Sequence, residues 1–429
     1  MGGSETVDDS RGWEAERAPP IPGVVVVATA GQPVCRPLRL GAGLELGRDT
    51  AGLSSDDRLS RKHLRVERRQ GFVVHDLGSR NGTWVDGARV TSPVAAESGA
   101  VVRGGRTLML LVDDVQPFEA SGVHASATGV AGPRLSTVFD AIARAALQAG
   151  TLLLRGESGT GKERAARAYH ALGPAALGPF VPVNCATLPE GVAERLLFGA
   201  RKGAFSGATD SDGLVRSAHG GVLFLDEIGE LELEVQAKLL RLLESREVLP
   251  LGATRPVRVD VRFAFATHRD LRADTAAGRF RADLFYRIEQ PCIELPPLRE
   301  RREEIPFLCA TASSLPLHAA FVEACLLRSW PGNVRELLRN VAQACEVALE
   351  AKATEVLVEH LPPEAGRAFG PRSESSLLGP RSEGSSEREP DLEAVREALR
   401  VHGGNVSAAA RSLGVHRTQL RRWIERYAL

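Results

Sequence analysis

The sequence predicts a multidomain fold in which an all-β sandwich is followed by an α/β domain and a small all-α domain. Residues 22–112 contain short β-rich runs separated by Gly, Asp and Ser, a pattern typical of a sandwich. From 133 to 362, apolar strand-like runs alternate with helical patterns, which indicates an α/β sheet. Residues 391–429 have the pattern of three short helices. The length of 429 residues agrees with about three domains.

Two segments are predicted to connect these domains. Residues 113–132 lack periodicity, so we predict a linker there. Residues 363–390 are rich in Gly, Pro, Ser and charge, which indicates a flexible tether.

The composition indicates a soluble protein without a strong overall electrostatic field. Its 54 basic and 54 acidic residues leave a formal net charge of zero, so any nucleic-acid site must be a local one. The first residues, MGGSETVDDS, lack the apolar core of a signal peptide, and the apolar runs are shorter than the roughly 18 residues of a membrane helix. Six scattered cysteines without a CxxC pair indicate reduced thiols. We therefore expect a cytoplasmic protein with no membrane partner.

The most informative motif lies in the α/β domain and predicts a nucleotide site. Between an apolar strand and a helical pattern, GESGTGK matches the phosphate-loop pattern G-x-x-x-x-G-K. Backbone N–H groups of such a loop cradle phosphates, and Lys162 would reach the terminal ones. Where the generic pattern has Ser or Thr for Mg²⁺, this chain has Glu163; the alternative is a chance match in a glycine-rich turn. The predicted nucleotide-binding residues of the loop are Gly156, Glu157, Ser158, Gly159, Thr160, Gly161, Lys162 and Glu163.

A pair of carboxylates completes the predicted site. In GGVLFLDEIGE, an apolar strand ends at Asp226 and Glu227. Asp226 would hold Mg²⁺ and Glu227 would polarise the attacking water. The alternative is an acidic strand end that faces solvent. Together with Lys162, the pair favours a site for ATP and Mg²⁺.

The block 133–340 resembles the AAA+ ATPase domain, with its helical lid, of sigma-54-dependent transcriptional activators (NtrC-like enhancer-binding proteins). GESGTGKE, with Glu after Lys, is the usual form of the loop in this family. The resemblance implies a bacterial ATPase that couples ATP hydrolysis to the remodelling of sigma-54 RNA polymerase. It also implies a homo-oligomer, a hexameric ring.

The resemblance further implies roles for individual residues. Asn184, in VNCATL, would couple the nucleotide state to Glu227. Arg281 and Arg287, in GRFRADLFYRIEQ, would be arginine fingers that reach the γ-phosphate of the neighbouring subunit. Arg335, in WPGNVREL, would contact nucleotide in its own subunit. The predicted catalytic set is Glu227, Asn184, Arg281, Arg287 and Thr267, and outside these motifs an arginine is more often a surface residue.

The segment GAFSGA resembles the GAFTGA loop of the same family, which rises toward the pore of the ring and touches the sigma factor. Flanking glycines would let the loop move with nucleotide state, and Phe205 would supply an apolar contact. The alternative is a surface hairpin whose Phe packs on its own domain. The predicted sigma-contact residues are Gly203, Ala204, Phe205, Ser206, Gly207 and Ala208.

The sequence departs from the family pattern in several places. Ser206 stands where the family usually has Thr, and Ala200 and Arg201 replace the common His and Glu before the loop. His268 occupies the position of the usual Asn of the sensor I segment. Only residues 307–329 separate Pro306 from Trp330 in the predicted lid. This spacing is short for the family, so we expect a lid shortened by several turns.

The N-terminal domain resembles a forkhead-associated (FHA) domain through Gly47-Arg48, Ser60-Arg61-Lys62-His63 and Asn81-Gly82-Thr83. FHA sandwiches bind phosphothreonine peptides on their loops. The resemblance implies phosphate contacts from Arg48 and Ser60, help from Arg61 and Lys62, a peptide-backbone contact from Asn81, and a bracing role for His63. A phosphate dianion suits Arg, hydroxyl and turn N–H groups. The alternative is a β-sandwich with basic turns and no ligand.

The C-terminal domain resembles the Fis-type helix-turn-helix that usually completes this family. Gly403-Gly404 breaks the first helix, and Gly414 makes the turn into the third. A basic third helix would lie in the major groove of enhancer DNA. The alternative is a helical oligomerisation bundle with a solvated basic face. The predicted DNA contacts are His416, Arg417, Thr418 and Gln419 near bases, and Arg421 and Arg422 near phosphates.

The sequence thus predicts an ATP-dependent activator of transcription by sigma-54 RNA polymerase, which binds enhancer DNA and is regulated by a phosphothreonine-containing protein. The alternative is a DNA-binding regulator with weak or no ATPase activity that does not remodel sigma-54. A third hypothesis is a phosphopeptide-binding scaffold.

Overall fold

A computed structural model describes residues 18–126, 129–189, 191–204 and 209–367, together with residues 396, 399 and 400, which are helical. The chain divides into two compact units, Met1–Ser373 and Glu374–Leu429. The DNA contacts predicted at 416–422 lie outside the described residues.

Residues 22–112 form the predicted β-sandwich. Its strands are β1 (Gly23–Thr29), β2 (Gln32–Arg39), β3 (Leu44–Leu46), β4 (Leu64–Arg68), β5 (Phe72–Asp76), β6 (Thr83–Val85), β7 (Ala88–Arg89), β8 (Val94–Ala96), β9 (Val101–Gly104) and β10 (Thr107–Val112). One sheet has the order β2-β1-β10-β9-β6-β7 and the other β3-β4-β5-β8. All neighbouring strands are antiparallel. The side chains between the two sheets form a core of their own.

The segment 113–132, predicted as a linker from its lack of periodicity, contains short regular elements. These are α1 (Gln116–Ala120) and the antiparallel pair β11 (His124–Ser126) and β12 (Gly129–Ala131). Elements of three to five residues are too short for a hydrophobic period to show in sequence.

The α/β domain is built on a parallel sheet with the order β14-β15-β18-β13-β19. Its elements are α2 (Pro133–Gln148), β13 (Thr151–Arg155), α3 (Lys162–Leu172), β14 (Phe180–Asn184), α4 (Ala193–Phe198), α5 (Gly213–Ser217), β15 (Val222–Asp226), α6 (Leu233–Ser245), β16 (Glu247–Val248), β17 (Val257–Arg258), β18 (Arg262–Thr267), α7 (Leu271–Ala276), α8 (Ala282–Ile288) and β19 (Cys292–Glu294). Separate hydrophobic cores cover the two faces of the sheet. Because the strands are parallel, the carboxyl ends of β13, β14, β15 and β18 meet at one edge.

Three helices within residues 209–367 form the lid over that edge. They are α9 (Ile305–Ala312), α10 (Ala319–Leu326) and α11 (Asn333–Glu350), and single 3₁₀ turns lie at Cys185–Thr187, Ile228–Glu230, Leu298–Glu300, Arg302–Glu304 and Val358–His360. The first two lid helices have eight residues each, in keeping with the expected short lid. Among the described helices, none combines the length and the apolar character that crossing a membrane requires.

The β-sandwich and the lid share one hydrophobic core. All seven residues of β1 are buried. Val24 and Val26 face the core between the sheets, whereas Val25 and Val27 belong to the core that contains α9, α10 and α11. A strand that is buried on both sides explains why GVVVVAT is a continuous apolar run rather than an alternating one.

A buried ion pair also joins the β-sandwich to the lid. Arg103 Nε on β9 donates to Glu323 Oε2 on α10 at 2.6 Å, and both side chains are largely buried. The guanidinium carbon of Arg103 lies 3.7 Å from the ring centre of Trp84 on β6. Arg103 therefore joins the sandwich to the lid. We call this contact, with its shared core and its ion pair, the sandwich–lid contact.

Candidate functional sites

A cavity of about 680 Å³ lies between the carboxyl edge of the parallel sheet and the lid. One end is polar, and the predicted residues that line it are Ser158, Gly159, Thr160, Gly161, Lys162, Glu163, Asn184, Asp226, Glu227 and Arg335. The other end is apolar and is lined by Val130, Leu135, Val138, Phe139, Leu308 and Leu338, among others. This volume is in the range that holds a nucleotide-sized ligand.

Lys162 is the charge at the centre of the polar end. It is the first residue of α3 and only 6% exposed. Its Nζ donates to the carbonyl oxygens of Gly156 at 3.0 Å and Glu157 at 3.3 Å, and it lies 3.5 Å from Glu227 Oε1. A buried ammonium that bridges loop carbonyls and a carboxylate is placed to meet a phosphate at the start of the helix.

The lid closes directly on the phosphate loop. Gly159 has a left-handed φ of 78°, and a Cβ there would collide with the carbonyl of Gly332. Asn333, which is fully buried, donates from Nδ2 to Ser158 O at 3.0 Å and accepts from the N–H of Leu298 at 2.8 Å. The beginning of α11 therefore holds the loop through backbone groups.

Charged side chains of the lid region continue this contact. Arg335 Nη1 donates to Ser158 Oγ at 3.3 Å. Arg299 forms an ion pair with Glu157 at 2.8 Å and, with a smaller contribution from Asn333, lowers the pKa of that carboxyl. The structure thus brings Arg335 to the phosphate loop, and its contact with nucleotide stays a prediction.

Sequence analysis missed a buried pair behind the loop. Arg301 is 2% exposed; it donates to Thr160 O at 2.9 Å and to Glu304 Oε2 at 2.7 Å. Glu304 Oε1 accepts from the N–H of Gly132 at 2.8 Å. Burial raises the pKa of Glu304, and Arg301 opposes that rise. The i, i+3 spacing of the two residues in RERREE was the available signal, but such a charged run usually indicates a solvated surface.

The two carboxylates lie at the end of β15. Asp226 is paired in register with Asn184 of the neighbouring strand, so both lie at the carboxyl edge. Burial and the adjacent Glu227 raise the pKa of Asp226, while Lys162 opposes the rise. Adjacent carboxylates beside a phosphate loop suit Mg²⁺, which takes one or two protein oxygens and completes its shell with water and phosphate. The described part of the chain contains no cluster of three or more metal-ligating side chains.

Glu227 is held from two sides. Its backbone has a left-handed φ of 55°. Oε1 faces Lys162, and Oε2 lies 2.7 Å from His268 Nδ1 and accepts from the backbone N–H of His268 at 3.3 Å. Asn184, predicted to couple to Glu227, instead accepts from the N–H of Ala186 at 3.0 Å. The structure thus places a side chain other than Asn184 against Glu227.

Other predicted residues make local contacts. Glu163 accepts from the guanidinium of Arg167, one turn along α3, at 2.7 Å. Thr267 is fully buried, and its Oγ1 accepts from the N–H of Arg269 at 3.0 Å. Gly156, Glu157 and Thr267 do not line the cavity.

The predicted arginine fingers lie away from the cavity of their own chain. Arg281, before α8, donates to both carboxylate oxygens of Asp283, at 3.1 and 2.7 Å, and this contact raises its pKa. Arg287 is exposed and donates to Leu243 O at 3.3 Å. Neither residue lines the cavity, so their proposed action would require a second copy of the chain.

The predicted sigma-contact loop is described only at its start. Gly203 and Ala204 are described, whereas Phe205, Ser206, Gly207 and Ala208 lie outside the described residues. Ala200 and Ser211 exchange backbone hydrogen bonds at 3.0 and 2.9 Å, and the N–H of Lys202 donates to Asp210 Oδ1 at 2.8 Å. The two ends of the loop are thus joined at its base.

The predicted phosphopeptide residues lie on adjoining loops of the sandwich. A Cβ at Gly47 would collide with the carbonyl of Arg61, and the N–H of Arg48 donates to Ser60 O at 2.9 Å. Ser60 Oγ accepts from the N–H of Arg80 at 3.2 Å, which brings the third loop alongside. Within the described residues, the guanidinium of Arg48 has no hydrogen-bond or ion-pair partner.

Three predicted residues of these loops are exposed. Arg61 faces solvent. Lys62 pairs with Glu45 at 3.2 Å, and Asn81 Nδ2 donates to Arg58 O at 2.6 Å.

His63 braces these loops from beneath, as predicted. It is fully buried, and Nδ1 accepts from the N–H of Ser60 at 3.0 Å. That contact leaves the proton on Nε2, which donates to Gly82 O at 2.9 Å. Asp76, which sequence analysis did not single out, accepts from the N–H and hydroxyl of Ser79 and from the hydroxyl of Thr83. Burial opposes the ionisation of Asp76, but these hydrogen bonds lower its pKa overall.

Family profiles match the chain in the predicted order. The FHA domain profile matches residues 44–105, that of the sigma-54 interaction domain residues 130–294, and that of the bacterial regulatory protein Fis family residues 388–427.

Two relatives illustrate the extent of the similarity. The transcriptional regulatory protein GlrR of Escherichia coli (strain K12) is 38% identical over 290 residues, which are 65% of this chain and 63% of GlrR. The DNA-binding transcriptional regulator NtrC of Salmonella typhimurium is 40% identical over 335 residues, 71% of each protein. The chain thus spans slightly less than two thirds of GlrR.

Solved structures show a related fold. NtrX from Brucella abortus in complex with ADP is 29% identical, with a TM-score of 0.52 over 72% of this chain and 69% of NtrX. The same protein in complex with ATP is 30% identical, with a TM-score of 0.51 over the same shares.

Proposed function

The chain belongs to the family of sigma-54-dependent transcriptional regulators, and from that premise we propose that it is an ATPase that activates transcription by sigma-54 RNA polymerase. It would bind enhancer DNA through its Fis-type domain and respond to a phosphothreonine-containing protein through its FHA domain. The observation that carries the ATPase proposal is the buried Lys162–Glu227 contact at the polar end of a nucleotide-sized cavity.

The cavity suits ATP at both ends. The apolar end would take the base, and the loop N–H groups at the start of α3 would take the phosphates. Lys162 would exchange its loop carbonyls and Glu227 for the terminal phosphates. Arg335, already beside Ser158, would contact the same phosphates.

Glu227 would orient the attacking water and accept its proton once Lys162 has turned to phosphate. Mg²⁺ held by Asp226 would neutralise part of the negative charge of the phosphates. Arg281 and Arg287 would act from a neighbouring subunit of the proposed hexameric ring, after Arg281 has left Asp283. The predicted loop Gly203–Ala208 would carry the resulting movement to sigma-54.

The FHA loops support the proposed phosphothreonine site. Arg48 offers an unpaired guanidinium, and it adjoins Ser60 on a rim held by buried His63. Arg61, Lys62 and Asn81 would extend the contact along a peptide. A guanidinium can bind a phosphate through two parallel hydrogen bonds, which makes Arg48 the main anchor.

The second candidate function is a DNA-binding regulator that does not remodel sigma-54. The observation in its favour is the side chain of Asn184, which is bonded to the backbone of Ala186 rather than to Glu227. In cells, a Glu227→Gln chain as active as the wild type would favour this function.

ATP turnover and transcription from a sigma-54 promoter should be measured together on the full chain. We expect Lys162→Ala and Glu227→Gln to lower ATP turnover by orders of magnitude and to abolish promoter activation. The exposed Lys238→Ala, whose side chain pairs with Glu194, serves as the matched control. Promoter activation that persists in Lys162→Ala would contradict the proposal.

A further inference from the structure

The hydrophobic core of the lid is completed by the sandwich. Buried apolar side chains of α9, α10 and α11 form one cluster with side chains from the outer face of the larger sheet. In β10, the alternate residues Met109 and Leu111 face the core between the sheets instead. The lid therefore covers the face that a sandwich usually exposes to water. The sandwich residues in the cluster are Val25, Val27 and Ala28 of β1, Val101 of β9, and Leu108 and Leu110 of β10.

The shortness of the lid helices accounts for this arrangement. α9 and α10 have eight residues each, which is just over two turns. All eight residues of α10 are buried or half-buried, so this helix needs partners on every side. The sandwich supplies some of them, because α10 contacts β9 and β10, and α9 contacts β2. The sheet thus covers apolar surface that the short lid cannot bury by itself.

The sandwich–lid contact is closely packed. The cavity left between the sheet and helices α9 and α10 is about 20 Å³, which is room for a single water. Just before α9, Arg302 Nη1 donates to the carbonyl oxygen of Gly99 at 3.2 Å, in addition to the ion pair between Arg103 and Glu323. Because closely packed interiors transmit strain, a displacement of the sheet would displace the lid helices.

The same core forms part of the wall of the nucleotide-sized cavity. Leu308 of α9 and Val130 of β12 line the apolar end of that cavity. Both also belong to the cluster that contains Val25 and Val27. The apolar end of the cavity and the sandwich–lid contact are therefore parts of one packed unit.

Trp330 connects this core to the polar end of the cavity. Its side chain is fully buried in the shared core, and the indole N–H donates to the carbonyl oxygen of Cys325 on α10 at 2.8 Å. Its own carbonyl oxygen accepts from the N–H of Asn333 at 2.7 Å. Asn333 in turn donates to Ser158 O in the phosphate loop. Trp330 and Asn333 thus link α10, which contacts the sandwich, to the phosphate loop.

We infer that the sandwich is a structural part of the nucleotide site, and that Val25 and Val27 of β1 are positioning residues for the lid side of that site. The inference rests on the proposed function, which takes a nucleotide as the ligand of the cavity. The sandwich holds the lid in the position from which Leu308 and Asn333 meet that ligand and the phosphate loop. Undocking the sandwich would remove this support and weaken nucleotide binding.

The two faces of β1 provide a matched test. Val25→Ala with Val27→Ala deletes methyl groups on the lid side, and Val24→Ala with Val26→Ala deletes the same number between the two sheets. All four valines are fully buried. On the full chain we would measure the dissociation constant of a fluorescent ADP analogue and the unfolding midpoint for each pair. The single variants Val25→Ala and Val26→Ala repeat the comparison with half the deletion, in case a pair does not fold.

We expect the lid-side pair to raise the dissociation constant of the analogue by about 10-fold. A ligand that binds only when the lid is correctly placed loses affinity in proportion to the fraction of such molecules, and a fraction of about one tenth gives this loss. The pair between the sheets should change the constant by less than about 2-fold, since it leaves the lid face intact. Both pairs should lower the unfolding midpoint by similar amounts, because they delete the same apolar volume.

Equal changes in the dissociation constant for the two pairs, or no change for the lid-side pair, would overturn the inference and leave the proposed ATPase in place. A wild-type chain that binds the analogue but turns over ATP no faster than Glu227→Gln would overturn the proposed ATPase and leave this inference in place. A wild-type chain that does not bind the analogue would overturn both.

Discussion

The chain has two candidate phosphate sites, and they are built in opposite ways. In the phosphate loop, Lys162 is 6% exposed and bonded to two carbonyls and near a carboxylate, and the lid touches the loop through Asn333. In the FHA loops, the buried partner is the neutral His63, while the guanidinium of Arg48 lies at the rim without a partner among the described residues.

The difference determines how much rearrangement a bound phosphate would require at each site. A phosphate at the first site must displace internal partners of Lys162, so its arrival changes contacts that reach Glu227 and the lid. A phosphate at the second site meets groups already held in place, so its binding requires little rearrangement. The first site is suited to drive movement and the second to recognise a ligand. The sandwich–lid contact joins the two.

The largest expected effect separates the two sites. Lys162→Ala should lower ATP turnover by roughly 10³-fold, because it removes the charge that faces the transferring phosphate. The affinity of the Lys162→Ala variant for a phosphothreonine peptide, measured by calorimetry, should equal that of the wild type. A matched loss at both sites would mean that they are not independent and would break the comparison.

The next effect tests the sandwich–lid contact. Arg103→Ala leaves Glu323 buried and unpaired, and burial already raises the pKa of that carboxyl. We expect a loss of about 3 kcal/mol in stability, seen as a lower unfolding midpoint of the full chain. The double variant Arg103→Leu with Glu323→Leu should recover most of that loss. A single variant as stable as the wild type would argue against a fixed contact.

A pH dependence is expected from Glu303, which is buried in the 3₁₀ turn just before lid helix α9. Burial raises the pKa of Glu303 from 4.5 to about 7, with a further rise from Glu304 and opposition from Arg134 and Arg301. A carboxyl whose folded pKa is raised stabilises the fold below its unfolded pKa, and this contribution is lost as pH rises through the folded value. Between about pH 4.5 and 7 the loss amounts to roughly 3 kcal/mol.

Glu303→Gln removes this titration. Its unfolding midpoint, relative to that of the wild type, should therefore rise as pH goes from 5 to 8. Glu300→Gln, at an exposed neighbouring carboxyl, should show no such trend. Parallel curves for Glu303→Gln and the wild type would contradict the expected titration.

The smallest effect tests the exposed rim. Arg48→Ala should weaken phosphothreonine-peptide binding by about 2 kcal/mol, as expected for a charge-assisted hydrogen bond, with ATP turnover unaffected. Arg48→Lys should recover only part of the loss, because Lys cannot form the two parallel bonds of a guanidinium. Equal affinity of the Lys variant and the wild type would show that Arg48 acts as a point charge only.

The architecture could be predicted from the sequence because each domain has its own period and its own motif. The sandwich and the parallel sheet follow from strand patterns, and the phosphate-loop motif follows from glycine spacing. The family profiles confirm the FHA domain and the sigma-54 interaction domain. The positions of Lys162 and Asp226 in the fold could be predicted because Lys162 begins α3 and Asp226 ends β15, and Glu227 directly follows Asp226. His63 was placed correctly because its neighbours on both sides belonged to the predicted loops.

Contacts between distant segments could not be predicted in this way. Arg301 and Glu304 belong to a run that looks solvated, and only the fold buries it behind Thr160. The contact between His268 and Glu227 joins two strand ends far apart in sequence. The double burial of β1 depends on the lid, which follows about 280 residues later.

The most direct test of the proposed function is the binding of the purified chain to sigma-54 in the presence of ADP and aluminium fluoride, which mimic the transferring phosphate. We expect a trapped complex in the wild type that is lost in both Phe205→Ala and Lys162→Ala. No complex from a wild-type chain that still binds ATP would contradict the proposed function and would favour the regulator that does not remodel sigma-54.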